Sequence, residues 1–241
     1  MTIRKMAALI LVLLQTNLLF AQEVVNDPNV EVRAVGENFT SIRISGTIEL
    51  FLSQGTAEAV AVSAANEKHR AYIKTEVKDH VLSISYQEGP GVHFSVGNRS
   101  LKAYVSFTTL EKLKISGASK VQVAETLNVP SLLLELSGAS VMSGRAICNN
   151  LSVELSGASD LKISGAVNDI RIDAGGASRV WAYDLISDNC SIKASGASTV
   201  NVTVNKELNA RATGASDINY KGTAIIKAID SSGAGSIRKK D

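Results

Sequence analysis

The sequence predicts an all-β protein, a right-handed parallel β-helix or solenoid with repeats of about 19 residues. Three observations carry this. The tetrapeptide Ser-Gly-Ala-Ser stands at 116–119, 137–140, 156–159 and 195–198, and Gly175-Gly176-Ala177-Ser178, Thr213-Gly214-Ala215-Ser216 and Ser232-Gly233-Ala234-Gly235 fill the series. Its central glycines, Gly117, Gly138, Gly157, Gly176, Gly196, Gly214 and Gly233, step by 21, 19, 19, 20, 18 and 19 residues. On both sides of each glycine apolar and polar residues alternate with period two, the pattern of half-buried strands. The right hand follows from the general bias of parallel crossover connections.

Residues 1–21 read as a secretory signal peptide: Arg4 and Lys5, then an apolar run from Met6 to Phe20, then Ala21 at the cut. The polar stretch 22–37, with Pro28, reads as a flexible linker. Residues 38–238 form one solenoid domain, with the regular repeats over 111–238.

From Phe39 the pattern is β. Ile42 and Ile44 alternate, Gly46 interrupts, and Ile48, Leu50 and Leu52 resume. Val60 and Val62 make a short strand before the charged turn Glu67-Lys68-His69-Arg70. Ile73 to Val77 and Val81 to Tyr86 flank Lys78-Asp79-His80 as a hairpin. Gly89-Pro90-Gly91 breaks the chain; Val92, Phe94 and Val96 alternate, and Leu101 to Phe107 is one more strand.

Aligned on the central glycine, the repeats define faces. Inward positions lie two, four and six residues before it (Leu155, Val153 and Leu151 in one repeat) and four and six after (Leu161, Ile163). The glycine and second serine also count as inward, which predicts a bend where a Cβ would collide and a serine hydroxyl bonded to backbone. Turn residues such as Asn149-Asn150 and Asn168-Asp169 mark a second corner. Cys148 and Cys190 fall two repeats apart, ~9.6 Å along the axis and too far for a disulfide, so both should be free, with Cys190 inward.

The formal net charge is +2, and removing residues 1–21 brings it to zero, so nothing in the charge balance draws nucleic acid or anionic lipid. No apolar run after the signal segment is long enough to span a membrane. Nucleotide-binding glycine loops and Cys-x-x-Cys or His-Glu-x-x-His spacings are absent, and His69, His80 and His93 lie in no triad motif.

The repeats, together with Phe39-Thr40-Ser41-Ile42-Arg43-Ile44-Ser45-Gly46 and Ile218-Asn219-Tyr220-Lys221-Gly222, resemble a bacterial family, the "putative auto-transporter adhesin, head GIN domain", over about 39–222. The resemblance implies an exported β-helix of the broad type seen in pectin lyases, with an adhesive role and no assigned reaction. The many-stranded C-terminal barrel of a true auto-transporter is not expected after Ile237.

Two outward groups are candidate surface-binding residues. Glu135, Glu154 and Asp173 share one position in successive repeats, three before the glycine, and should stack. Such a ladder can hold Ca²⁺, or act with Lys162, Arg171 and Arg179 on an anionic polysaccharide. Trp181, the single tryptophan, points outward beside Arg179 and Lys162. The expected role is an exported, non-catalytic binding module, adhesin-like or envelope-associated, with a glycan or cell-envelope protein as partner and no cofactor. It would be periplasmic, outer-surface-associated or secreted. The alternatives are a polysaccharide-active enzyme using the carboxylate ladder and a structural envelope protein.

Overall fold

The computed structural model describes residues 27–87 and 99–241. The first strands are β1 (Glu31–Arg33), β2 (Ser41–Ser45), β3 (Glu49–Gln54) and β4 (Ala59–Ser63). A one-turn helix, α1 (Glu67–Ala71), follows, then β5 (Ile73–Lys78), β6 (Val81–Tyr86), β7 (Lys102–Phe107), β8 (Lys112–Ile115), β9 (Lys120–Asn128) and β10 (Ser131–Leu136). Four long strands, β11 (Val141–Leu155), β12 (Asp160–Ala174), β13 (Arg179–Ala194) and β14 (Thr199–Ala212), each run from one Ser-Gly-Ala-Ser corner to the next. β15 (Asp217–Lys221), β16 (Ile225–Ser231) and β17 (Ser236–Lys239) complete the chain.

The solenoid arises because like residues of successive repeats pair in parallel register. Leu132, Leu151, Ile170, Cys190 and Leu208 form one such ladder, and every member is buried. Val121, Met142, Leu161, Val180, Val200 and Ile218 form the equivalent ladder after the glycine, also buried. One apolar core therefore runs the length of the stack, its driving force the removal of these side chains from water.

The Ser-Gly-Ala-Ser segment is the bend, as the alternation predicts. Gly157 adopts φ +71°, and a Cβ placed there would lie 2.5 Å from the Gly138 carbonyl oxygen of the preceding coil. That carbonyl accepts the N–H of Ala158 at 2.7 Å, a bond repeated at each corner from Ala118 to Ala234. The second serines are buried, and Ser159 Oγ donates to the Ser156 carbonyl at 2.8 Å. In β12 the chain bends again at Gly165, φ +121°, where a side chain would strike the Ala146 carbonyl.

The stack begins earlier than the regular repeats suggest. β2 and β3 form a coil with Gly46 at its corner, directly under the Gly117 coil: β2 pairs with β8 and β3 with β9, all parallel. On its other side β2 pairs with β6 and β3 with β7, so the chain leaves this coil, builds the next one outward, and returns. Antiparallel strands finish that end, β5 against β6 and β4 against β7.

The expected hairpin at Lys78-Asp79-His80 is present, with Asp79 and His80 both at positive φ as a two-residue hairpin turn requires. The charged turn is α1, its N–H at His69 accepted by the Asn66 side chain at 2.9 Å. Within the stretch read as linker, β1 pairs antiparallel with β4, and Arg70 Nε holds Glu31 at 2.8 Å. This part is therefore pinned to the fold by a strand too short for its three residues to show a period. The signal segment, the Gly89-Pro90-Gly91 break, the strand at Val92 to Val96, and His93 lie outside the described residues.

Candidate functional site

Outward ladders flank each Ser-Gly-Ala-Ser corner. Before it, Arg43, Lys114, Glu135, Glu154, Asp173, Lys193, Arg211 and Asp230 lie in register across successive strands. The carboxylates of Glu135, Glu154 and Asp173 do share one column, but they are not equivalent. Glu135 is bound by Lys112 and, at 2.9 Å, by Lys114. The hydrogen bond from Lys112 is the largest influence on it and, with Lys114, outweighs desolvation, so the carboxyl sits below its ordinary range. Glu154 and Asp173 stay exposed. Among the described residues, no three His, Cys, Asp or Glu side chains converge as a metal ion requires.

After the corner, Lys162 and Trp181 are register partners, and Trp181 is 47 % exposed. Arg179, two residues earlier on the same face, is held by Asp160 in a fork: Nε to Oδ1 at 2.6 Å and the guanidinium NH2 to Oδ2 at 2.7 Å. On the next strand Asn201 is only 4 % exposed, donating to the Val180 carbonyl at 3.1 Å and accepting from Asn219 at 3.1 Å.

The six candidates therefore divide. Glu135, Glu154 and Asp173, with Arg171, lie on the sheet before the corner; Lys162, Arg179 and Trp181 lie on the sheet after it. The corner thus lies between Lys162 and Arg179 on one side and the carboxylate column with Arg171 on the other. His69 Nδ1 is 2.8 Å from the Tyr86 hydroxyl and His80 Nδ1 is 3.0 Å from the Asn38 carbonyl oxygen, so each packs locally.

A feature not singled out in the sequence lies beside the carboxylate column. A groove of about 810 Å³ crosses the coils from Glu111 to Asn209. It is lined by the apolar ladder Leu132, Leu151, Ile170 and Cys190 and by the two ladders beside it: Ser131, Asn150, Asp169, Asn189 and Glu207, seven residues before each glycine, and Leu133, Ser152, Arg171, Ser191 and Asn209, five before. Neighbouring rungs hydrogen-bond, as Asn189 Nδ2 does to Asp169 Oδ1 at 2.9 Å and Asn150 Nδ2 to Ser131 Oγ at 3.2 Å. Arg171 stands mid-groove with no ion-pair partner among the described residues. The signal was in the glycine alignment: the same columns extend two places further out. As isolated asparagines and serines they read only as turn chemistry.

Comparisons with known proteins agree with this architecture. A family model described as "putative auto-transporter adhesin, head GIN domain" matches residues 38–224. Among solved structures, a "putative adhesin" from Bacteroides fragilis NCTC 9343 superposes with TM-score 0.79 at 20% identity, covering 89% of this chain and 98% of that one. A "putative adhesin" from Parabacteroides distasonis ATCC 8503 gives TM-score 0.68 at 20% identity, covering 88% and 96%. A "putative lipid binding protein" from the same strain gives 0.66 at 20% identity, covering 89% and 98%. At these identities the likeness is one of fold. No curated protein matches the chain significantly. Among the described residues, no helix is long and apolar enough to cross a membrane.

Proposed function

Because the chain belongs to the "putative auto-transporter adhesin, head GIN domain" family, we propose that it is an exported, adhesin-like module of the cell envelope that binds without catalysis. Its ligand is a glycan, and its site is the groove before the corner. One observation supports this reading above the others: polar rungs recur on both ladders of the groove, Asn150, Asp169 and Asn189 on one and Ser152, Arg171, Ser191 and Asn209 on the other. The rungs repeat every ~4.8 Å along the axis. A linear polyhydroxyl chain lying along that axis meets a donor or acceptor at each coil, whereas a compact ligand would use only one or two. The column's acids are largely engaged, Asp169 by Asn189 and Glu207 by Lys227 at 3.1 Å, which favours a neutral or weakly acidic sugar polymer.

The test is glycan-array binding of the purified chain. Removing two polar contacts with Arg171→Ala and Asn189→Ala together should weaken retention about tenfold or more, at ~1 kcal/mol per contact. Trp181→Ala should bind as the unaltered protein does. Loss with Trp181→Ala alone would move the site to the other sheet. Capture of an envelope protein with no glycan bound would replace the ligand class, and cleavage of a uronate polymer abolished by Glu154→Ala would overturn the non-catalytic reading.

A further inference from the structure

The two ends of the stack are built differently. At the first end, antiparallel strands β1, β4 and β5 lie beyond the last parallel coil. At the other end nothing among the described residues lies beyond β16 and β17, which pair only inward, with β14 and β15. Three isoleucines are exposed in β16: Ile225 at 66%, Ile226 at 39% and Ile229 at 45%. Ile226 and Ile229 occupy register positions whose counterparts one coil below, Leu208 and Ala210, are buried. Their exposure is due to a missing neighbour and not to an outward direction. The corner is likewise incomplete. Gly214 and the glycines before it accept an alanine N–H from the next coil at 2.7–2.8 Å, while the Gly233 carbonyl has no such partner among the described residues. A bare coil end of this kind is a template for another strand pair.

We infer that the β16–β17 end is an interface between two copies of this chain, related by a two-fold axis through the Gly233 corner. Such an axis carries β16 of one protomer onto the partner's β17 and sets the two strands antiparallel, the orientation in which strand edges pair with perpendicular hydrogen bonds. The coil is suited to it because its inward and outward positions are symmetric about the glycine. Ile229, four residues before, faces Ile237 of the partner subunit, four after, and both are inward. Outward Asp230, paired at 3.3 Å with Arg211 of its own chain, comes diagonal to the partner's Arg238, itself 3.8 Å from the partner's Asp217. The contact joins the two pairs into one network across the axis. The axis repeats each contact, so two Ile–Ile and two Asp–Arg pairs form. The apolar core then continues from one protomer into the other. The opposite end offers no such self-match, since its edges, β5 and β1, belong to added strands outside the repeat. Lys227, the extra residue of a bulge between the Leu208/Ile226 and Asn209/Ala228 pairs, shortens the usable edge of β16. That bulge limits the pairing to the Ala228–Ser231 segment and disfavours open-ended growth, consistent with a closed dimer.

Sedimentation velocity of the whole chain across a concentration series is the direct test. The expected species has twice the chain mass. Ile229→Lys should halve the mass with an unchanged circular dichroism spectrum and melting profile, because residue 229 is already half exposed. Ile147→Lys, on an exposed stripe elsewhere, should leave the dimer intact. Asp230→Arg should weaken the dimer, and adding Arg238→Asp should restore it. A chain that stays monomeric throughout, or a dimer indifferent to Ile229→Lys, would overturn the inference. So would continuous growth to filaments, which points to head-to-tail stacking. None of these outcomes depends on whether the groove binds glycan.

Discussion

The Gly46 carbonyl accepts the N–H of Ala118 at 2.7 Å, the same bond that Gly117 makes with Ala139 and Gly138 with Ala158. Gly46 sits in no Ser-Gly-Ala-Ser motif, and its neighbours in sequence are Ser45 and Thr47. What places it in the series is its positive φ of +103° and the closeness of its backbone to the coil above, where a Cβ on Gly117 would strike the Gly46 carbonyl oxygen. The corner is thus defined by backbone crowding, and its sequence is secondary.

That crowding makes a sharp stability prediction. Gly157→Ala must hold a non-glycine residue at φ +71° and also push a methyl to within 2.5 Å of the Gly138 oxygen. The left-handed backbone alone costs ~1–2 kcal/mol, and the clash adds to it, because the obstructing atom is backbone and cannot rotate away. Chemical denaturation should show a loss above ~2 kcal/mol. Gly36→Ala, where nothing lies within 4 Å of an added Cβ and φ is ordinary, should change stability by less than ~0.5 kcal/mol.

Glu135 predicts an acid-sensitive contribution. Its carboxyl is held below the ordinary value of 4.5, first by the hydrogen bond from Lys112 and then by Lys114, against a desolvation that raises it. A depressed folded-state pKa stabilises the fold above the unfolded value, and that contribution disappears as pH falls through the folded pKa. Stability should therefore decline below about pH 4.5, and Lys112→Met should shrink this decline. Carbon NMR titration of the Glu135 carboxyl in the Lys112→Met protein should show its midpoint moving up. An unmoved midpoint would mean that Lys112 does not hold the carboxylate.

The thiols should be unreactive in the folded protein. Burial pushes Cys148 up to about 11 and Cys190 still further, so at pH 8 neither forms appreciable thiolate. Both are free and buried. An aromatic disulfide reagent should titrate two thiols only after denaturation, with Cys148 the faster on partial opening. Rapid labelling of Cys190 in the native state would contradict its place in the buried ladder beside Ile170 and Leu208.

Much of the fold was legible because a solenoid is nearly one-dimensional. Each coil contacts chiefly its neighbours, so a period in sequence is a period in space. Aligning the glycines was enough to place Leu151, Ile170, Cys190 and Leu208 inward and Trp181 outward, and to separate the cysteines. The coil at Gly46 was hidden because β4, α1 and β5 to β7 intervene before the chain stacks back on it. Long-range parallel pairing after an excursion leaves no local mark. The groove was hidden for another reason: an asparagine next to a corner has the same composition signal whether it caps a turn or faces a ligand.

The sequence by itself determined the repeat, its inward and outward columns and the need for glycine at each bend. All of these follow from strand alternation and from sterics that act within one coil and its neighbour. Only the tertiary structure decided which columns share a surface. Glu135, Glu154, Asp173 and Arg171 fall on one side of the corner and Lys162, Arg179 and Trp181 on the other. Lys112 and Lys114 neutralise the first of the carboxylates, and Ile226 and Ile229 are left bare on the last described coil. The physical reason is that a bend changes the direction in which side chains point without changing their spacing along the chain. Counting residues finds the columns, and only the angle between sheets shows which of them can meet one ligand.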